Sequence, residues 1–128
     1  MRTEPDGLRR RRTFLAGRRA ERIALLWLAC KGYRVLASRY VVRGGEIDLV
    51  LRRGDTVAFV EVKARPTLDD AMSAVTPAKL RRLDRAVGTW LARNPWAAGL
   101  SLRGDLLAIA PWRWPLHLEG VLPLTAGR

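Results

Sequence analysis

Two strand-like segments that contain acidic residues constrain the fold of this chain more than any other feature. Gly45–Val50 has the sequence GEIDLV, and Phe59–Lys63 has the sequence FVEVK. Ionised carboxylates are rarely left within hydrophobic runs, because their desolvation costs several kcal/mol unless a charge or a metal compensates. Asp48 and Glu61 therefore require a nearby cation.

A tight turn between the two segments predicts a β-hairpin. Gly54 and Asp55 suit a two-residue loop with glycine in the first position, so Arg53 is expected to face Thr56. Counting outward along both strands then places Asp48 directly opposite Glu61. Side chains in such a pair lie about 5 Å apart, so the two negative charges would repel each other across the hairpin.

The alternation of side chains along a strand sorts this hairpin into two faces. Glu61 and Lys63 are expected to share one face with Asp48. The opposite face is predicted to be apolar and to consist of Ile47, Leu49, Val60 and Val62. One face would then pack in the core while the other carries the chemistry.

Two carboxylates at this distance suit Mg²⁺ or Mn²⁺, which bind through one or two carboxylates together with water and substrate phosphate. The neighbouring Lys63 ammonium can orient a water molecule or stabilise charge on a phosphate oxygen. Asp48, Glu61 and Lys63 therefore predict a site that hydrolyses phosphodiester bonds. The alternative is a surface hairpin whose acids pair with nearby arginines, namely Arg43, Arg52 and Arg65.

Motifs along the chain resemble those of a known family. The matching residues are Gly17, Glu21, Gly32-Tyr33, Gly45–Val50, Phe59–Arg65, Val75–Lys79 and Asp105. On these residues the chain resembles the YraN-like family of small bacterial endonuclease-like proteins. The resemblance implies the restriction-endonuclease-like fold of the PD-(D/E)xK nuclease superfamily, a single α/β domain with a mixed central sheet flanked by helices. It also implies a metal-dependent catalytic site at Asp48, Glu61 and Lys63, with Mg²⁺ or Mn²⁺ as cofactor.

Glu21 is a further candidate, and it lies in a helix predicted from Phe14 to Lys31. At 100° per residue, Glu21 is on the inward side, opposite the solvent-facing arginines Arg18, Arg19 and Arg22. The family resemblance implies that an acid of the first helix completes the metal site directly or through water, and Glu21 is at the matching position. The alternative is an ion pair within the helix, with Arg18 or Arg22.

The remaining segments predict further strands and a second helix. Further strands are expected over Tyr33–Ser38, Leu106–Ala110 and Trp112–Leu118, and a loop over Pro66–Val75. Thr76 is expected to cap a helix that begins at Pro77, ends near Asn94 and buries Leu80, Leu83, Val87, Trp90 and Leu91. The predicted order is α-β-β-β-α-β, with residues 1–12 as a basic, flexible arm and residues 13–128 as one domain.

The charge of the chain agrees with a nucleic-acid partner, with DNA favoured over RNA. A formal net charge of +12 attracts polyphosphates and makes their binding salt-dependent. Cationic residues that would contact phosphates are Lys79, Arg81, Arg82 and Arg85 on the second helix, with Arg65 after the hairpin. A solvated helix face is the alternative explanation for the cations on the helix.

The sequence predicts the positions of the tryptophans and of the single histidine less sharply. Trp27 and Trp90 fall on apolar helix faces and are predicted to lie in the core. For Trp96, Trp112 and Trp114, core or edge packing is favoured, and stacking with nucleic-acid bases is the alternative. His117 has no metal-ligand spacing around it and is predicted to pack in the last strand.

The N-terminal region resembles a twin-arginine export signal at Arg11–Leu15, but charged residues interrupt the apolar stretch that such a signal requires. The apolar run from Ile23 to Cys30 is too short to span a membrane. We therefore expect a cytoplasmic protein without a membrane partner.

The sequence as a whole predicts a nucleic-acid-binding protein with a metal-dependent nuclease site. The main alternative is a non-catalytic nucleic-acid-binding accessory protein that has a nuclease-like fold. A third hypothesis, a protein-interaction module with a basic surface, predicts no affinity for nucleic acid.

Overall fold

A five-stranded mixed sheet with helices on both faces forms the fold, in a computed structural model that describes residues 19–110 and 113–125. Helix α1 is described over residues 19–30. The strands are β1 (Arg34–Val42), β2 (Gly45–Arg53), β3 (Thr56–Ala64), β4 (Ser101–Ile109) and β5 (Leu116–Leu122). The other helices are α2 (Leu68–Ser73), α3 (Pro77–Arg93) and a 3₁₀ helix over Pro95–Gly99.

The strands lie side by side in chain order. The pairs β1/β2, β2/β3 and β4/β5 are antiparallel, whereas β3 and β4 are parallel. A parallel pair needs a crossover connection, which α2, α3 and the 3₁₀ helix supply. This arrangement confirms the predicted single α/β domain with a mixed sheet flanked by helices.

The centre of the sheet is buried on both faces, and β2 and β3 there carry nearly continuous apolar runs. On one face, α3 packs against the sheet, in a cluster that includes Val50, Phe59, Leu83, Val87 and Trp90. On the other face, α1 contributes to a second cluster with Ala24, Leu28, Leu49, Val60 and Val62. The predicted core positions of Trp90 and the α3 stripe are therefore confirmed.

The prediction of a single apolar hairpin face is wrong. Ile47 belongs to the cluster under α3, whereas Leu49 belongs to the cluster under α1. The change occurs beside Arg39, which lies between the β1 residues paired with Ile47 and Leu49 and has a φ of 51°. A residue in the left-handed region interrupts the regular pleat, and with it the alternation of side chains.

The local signals at the hairpin turn and at the start of α3 are confirmed. Gly54 has a φ of 60°, as the first residue of the predicted turn requires, and Arg53 pairs with Thr56. The Thr76 hydroxyl accepts a hydrogen bond from the Lys79 amide at 3.3 Å, and Pro77 is the first residue of the helix.

Several predicted element boundaries are wrong. The loop expected over Pro66–Val75 contains α2, which the Thr67 hydroxyl caps by accepting a hydrogen bond from the Asp70 amide at 3.1 Å. Strand β4 begins at Ser101, because parallel pairing with β3 extends that far. Strand β1 continues to Val42, and β5 covers Leu116–Leu122 where it pairs with β4.

Parts of the predicted architecture lie outside the described residues, namely the basic arm over residues 1–12, the first turns of the first helix, and Trp112. Within the described ranges, none of the helices combines the length and the apolar character that crossing a membrane requires.

Candidate functional site

Asp48 lies at the point where β2 and β3 separate. The two strands pair in the predicted register, but the ladder ends at Leu49 and Val60, one residue before the predicted Asp48–Glu61 pair. The Oδ2 atom of Asp48 accepts a hydrogen bond from the Val62 amide at 2.8 Å. Because β2 continues along β1 and β3 continues along β4, the carboxylate occupies the gap between the diverging strand ends.

The carboxyl groups of Asp48 and Glu61 remain close enough for their charges to interact. Burial, followed by the negative charge of Glu61, raises the pKa of Asp48 to about 7. The Val62 hydrogen bond and the Lys63 charge lower the pKa of Asp48, but they do not offset these effects. A bound cation would favour the ionised form, since metal ligands must be deprotonated.

Lys63 supplies a positive charge close to these acids. Its Nζ atom is 2.9 Å from Glu61 Oε1, and the two side chains are only 11% and 15% exposed. Burial lowers the pKa of Lys63. Hydrogen bonds with Lys79 and Glu61, together with the charges of Glu61 and Asp48, raise the pKa by more, so it lies above its usual value. The pKa of Lys79 is lowered, first by the hydrogen bond with Lys63 and then by burial. Of the two lysines, Lys63 therefore holds its proton more firmly.

We call Asp48, Glu61, Lys63 and Lys79 the carboxylate–lysine cluster. Its members come from β2, β3 and the first turn of α3. Gly45 allows this assembly, because a Cβ atom at that position would lie 2.7 Å from the Arg82 carbonyl oxygen. A larger residue there would push α3 away from β2 and separate Lys79 from Lys63.

Glu21 has a different partner from either one that the sequence suggests. Its Oε2 atom accepts a hydrogen bond from Arg39 Nε at 2.7 Å. The hydrogen bond to Glu21 raises the pKa of Arg39, and the charges of Asp48 and Glu46 raise it further. Arg39 therefore pairs with Glu21 and is also close enough to Asp48 for their charges to interact.

The available metal ligands are two carboxylates. Within residues 19–110 and 113–125, no group of three or more histidine, cysteine or acidic side chains is arranged to hold a metal. Asp48 and Glu61 nevertheless fit Mg²⁺ or Mn²⁺, which need only one or two carboxylates when water and substrate phosphate complete the coordination. Burial and the charge of Glu61 raise the pKa of Asp48 despite the nearby Lys63, so an additional cation would favour its ionised form.

Two of the three arginines of the surface-hairpin alternative, Arg52 and Arg65, contact other groups. Arg52 lies over the Trp96 ring, 5.3 Å from its centroid, and donates a hydrogen bond to the Gly54 carbonyl. Arg65 donates a hydrogen bond to the Ala64 carbonyl at 2.7 Å. The partner of Glu61 is instead Lys63, on the same strand.

The predicted nucleic-acid-binding cations follow α3 away from the cluster. Lys79 contacts Lys63 at the start of the helix. Further along the helix, the exposed Arg82 lies 3.8 Å from Glu46, and the Arg85 side chain lies against Gly44 in the β1–β2 turn. Arg81 is exposed on the same helix. Lys79, Arg82 and Arg85 therefore form a cationic strip that leads from the carboxylate–lysine cluster to the β1–β2 turn.

A second buried acid lies on the opposite face of the sheet. Asp105 on β4 is fully buried and accepts hydrogen bonds from Arg103 Nε at 2.8 Å and from the Gly120 amide at 2.9 Å. Its Oδ2 atom is 2.7 Å from His117 Nε2, and His117 Nδ1 is 2.9 Å from Lys31 Nζ. An ammonium group can only donate, so His117 accepts at Nδ1 and donates from Nε2 to Asp105.

We call Asp105, Arg103, His117, Lys31 and Tyr33 the Asp105 network, since Arg103 also donates a hydrogen bond to the Tyr33 hydroxyl. Burial raises the pKa of Asp105, but hydrogen bonds from His117, Arg103 and Gly120 outweigh it and hold the pKa below its usual value. The predicted packing of His117 in the last strand is confirmed, with its side chain only 2% exposed.

The sequence prediction did not assign a role to Asp105. The reasoning that selects Asp48, an acid within an apolar strand, applies equally to Asp105 ahead of Leu106 and Leu107. Apart from Arg103, two residues before Asp105, the partners that distinguish the two acids come from other elements of the fold.

Comparison with known proteins identifies the family. The profile described as "Uncharacterised protein family UPF0102" matches residues 20–109, from α1 to the end of β4. A UPF0102 protein of Methylobacterium nodulans is 56% identical over 121 residues, covering 94% of each chain. A UPF0102 protein of Methylocella silvestris is 52% identical over 118 residues, covering 92% of this chain and 95% of the relative. These matches confirm the YraN-like resemblance, and the chain belongs to the UPF0102 family.

Proposed function

We propose that this protein binds nucleic acid and hydrolyses its phosphodiester bonds, with Mg²⁺ or Mn²⁺ held by Asp48 and Glu61. The carboxylate–lysine cluster carries the proposal. It brings two mutually repelling acids to diverging strand ends, beside a largely buried ammonium group. Such an arrangement opposes folding, and perturbed acids of this kind are concentrated at functional sites.

Each residue of the cluster would have a distinct role. A bound metal would neutralise charge on the phosphate and would lower the pKa of a bound water molecule. Lys63 already donates to Glu61 at 2.9 Å, so the same ammonium can donate to an attacking water or to a phosphate oxygen that enters the site. Lys79 holds that ammonium from the side of α3.

Charge supports a polyanionic substrate. The net charge of +12 and the strip formed by Lys79, Arg82 and Arg85 favour contact with a phosphate backbone. Arg65, directly after β3, would add a cation next to the reacting phosphate.

A non-catalytic nucleic-acid-binding protein is the second candidate function. It is favoured by the partners of two acids, since Arg39 pairs with Glu21 and Lys63 pairs with Glu61, so that cations of the protein already meet these negative charges. This function predicts affinity for nucleic acid without cleavage.

Cleavage and metal binding can be tested together on the full chain. Branched and single-stranded DNA and RNA should be cut only when Mn²⁺ or Mg²⁺ is present. Metal should also raise the Tm, because a ligand bound only by the folded state stabilises it. Lys63→Ala should remove cleavage and retain the rise in Tm, because lysine is not a metal ligand here.

Glu61→Ala is the matched control, and it should lose both cleavage and the metal-induced rise in Tm. If the wild type cuts no faster than Glu61→Ala, the cleavage comes from a contaminant and the non-catalytic function stands. If metal raises the Tm of wild type and Glu61→Ala equally, the metal does not bind at the carboxylate–lysine cluster.

A further inference from the structure

Two stacked tryptophans form an exposed aromatic surface. Trp27 on α1 and Trp114, just before β5, have ring centroids 5.4 Å apart and ring planes inclined by 29°. Trp114 is 79% exposed, more than any other large apolar side chain in the described ranges. One face of its ring therefore rests on Trp27, and most of the remaining surface is open to solvent. The expectation of core or edge packing is wrong for Trp114.

Strand register places this aromatic pair at the same end of the sheet as the catalytic candidates. Lys63 on β3 pairs with Ala108 on β4, and Ala108 pairs with Leu116 on β5. Trp114 precedes Leu116 and therefore lies beyond the ends of β3 and β4, past Lys63.

The aromatic pair lies on the face of the sheet that α1 covers and the carboxylate–lysine cluster on the face that α3 covers, and Arg65 follows the end of β3 where these faces meet. The Arg65 amide donates to the Ile109 carbonyl at 3.0 Å, which extends the pairing of β3 and β4 by one step. Ile109 and Ala64 pack in the same apolar cluster as Trp27. On the other side, the charge of Arg65 acts on Lys79. A nucleotide chain that reached both sites would therefore pass around this end of the sheet, beside Arg65.

The charge around Trp114 favours nucleic acid as the occupant over an apolar protein surface. The adjacent Arg113 is exposed, Arg65 lies toward the cluster, and the whole chain carries +12. Aromatic rings beside a cationic track are the arrangement on which unpaired bases stack. Bases within an intact duplex are already stacked, so their faces are not available to Trp114.

We infer that Trp114, supported by Trp27, stacks on an unpaired base of a nucleic acid whose phosphates lie toward Arg65 and Lys63. This inference deepens the proposed function, on which it rests, by naming the substrate class as nucleic acid with an unpaired nucleotide beside the reacting bond.

Binding in EDTA tests the inference separately from metal-dependent cleavage. The probes are a fluorescently labelled oligothymidine strand and a blunt duplex of the same length, both measured by anisotropy. Trp114→Ala should weaken single-strand binding by about tenfold, which lies within the range of stacking one base on an aromatic ring. Duplex binding should change by less than twofold. Retained affinity with absent cleavage would count against the nuclease proposal alone.

Matched variants distinguish stacking from general loss of apolar surface. Trp114→Phe should keep most of the affinity, whereas Trp114→Leu should behave like Trp114→Ala. Trp96→Ala is the control, because Trp96 is also exposed, at 48%, but packs on Trp90 elsewhere. Equal losses for Trp114→Ala and Trp96→Ala, or for Trp114→Phe and Trp114→Leu, would overturn the inference.

Salt dependence and base fluorescence provide two further readouts. Trp114→Leu should leave the salt slope unchanged, whereas combined Arg82→Gln and Arg85→Gln should lower it by roughly 1.4, about 0.7 for each single-strand phosphate contact. Wild type and Trp114→Phe should quench 2-aminopurine in the strand, and Trp114→Leu should not. Equal quenching by all three, or dimerisation in sedimentation that Trp114→Leu abolishes, would assign the aromatic pair another role.

Discussion

Asp48 and Asp105 lie in apolar strands on opposite faces of one sheet, and their surroundings have opposite effects on their ionisation. Asp105 receives hydrogen bonds from Arg103, His117 and the Gly120 amide, and its pKa is lowered despite burial. Asp48 accepts a hydrogen bond from the Val62 amide and interacts with the negative charge of Glu61, and its pKa is raised to about 7.

The difference shows how one residue type supports structure in one place and chemistry in another. A buried carboxylate with several donors has its charge compensated by the protein itself. A carboxylate with few donors and a like charge nearby remains available to bind an external cation. Asp105 accordingly connects β4, β5 and the end of α1, whereas Asp48 lies where two strands separate.

The largest expected effect comes from breaking the Asp105 network. Asp105→Asn should lower the free energy of unfolding by about 3–5 kcal/mol, because it leaves Arg103 and the buried His117 without their acceptor charge. Urea unfolding monitored by circular dichroism measures this change. Asp69→Asn, an exposed acid on α2, is the control and should change stability by less than about 1 kcal/mol. Similar small changes for both variants would show that the network does not hold the fold together.

An effect of opposite sign is expected at Asp48. Its folded pKa of about 7 exceeds the ordinary value of 3.8, so ionisation destabilises the folded state above pH 7, and this cost disappears as the pH falls below 4. In EDTA, Asp48→Asn should therefore be more stable than wild type by roughly 2–4 kcal/mol at pH 8, with no gain below pH 4. Urea unfolding across this pH range is the measurement. A loss of stability at pH 8 would place Asp48 with Asp105 as a structural acid.

The smallest effect concerns Glu21, a third acid whose partner is an arginine. Its pair with Arg39 is partly exposed, so Glu21→Gln should cost less than about 1 kcal/mol. A double-mutant cycle with Arg39→Gln measures the coupling between the two side chains. The metal-induced rise in Tm should persist in Glu21→Gln if Asp48 and Glu61 suffice to hold the metal. Its disappearance would make Glu21 a ligand, as the family resemblance implies, and would require Arg39 to release it.

The parts of the site that could be predicted depend on residues close together in the chain. The hairpin register follows from the turn at Gly54 and Asp55, and it correctly pairs Arg53 with Thr56. The proximity of Glu61 to Lys63 follows from strand alternation, and their 2.9 Å contact is confirmed. The start of α3 at Pro77 follows from its threonine cap.

Other features depend on the packing of distant segments. The length of β4 is set by its pairing with β3, so its start at Ser101 has no strong local signal. The faces of Ile47 and Leu49 differ because both faces of the sheet are covered and Arg39 interrupts the pleat.

The sequence by itself determined that this chain forms a hairpin with acids in apolar strands, since turn and strand preferences act over a few residues. Only the tertiary structure decided which acid is compensated. Asp105 meets His117 because β4 and β5 pair, and Lys63 meets Lys79 because α3 packs on the sheet. The ionisation of a buried carboxylate depends on donors and charges within a few ångströms, and folding brings those groups together from distant positions in the chain.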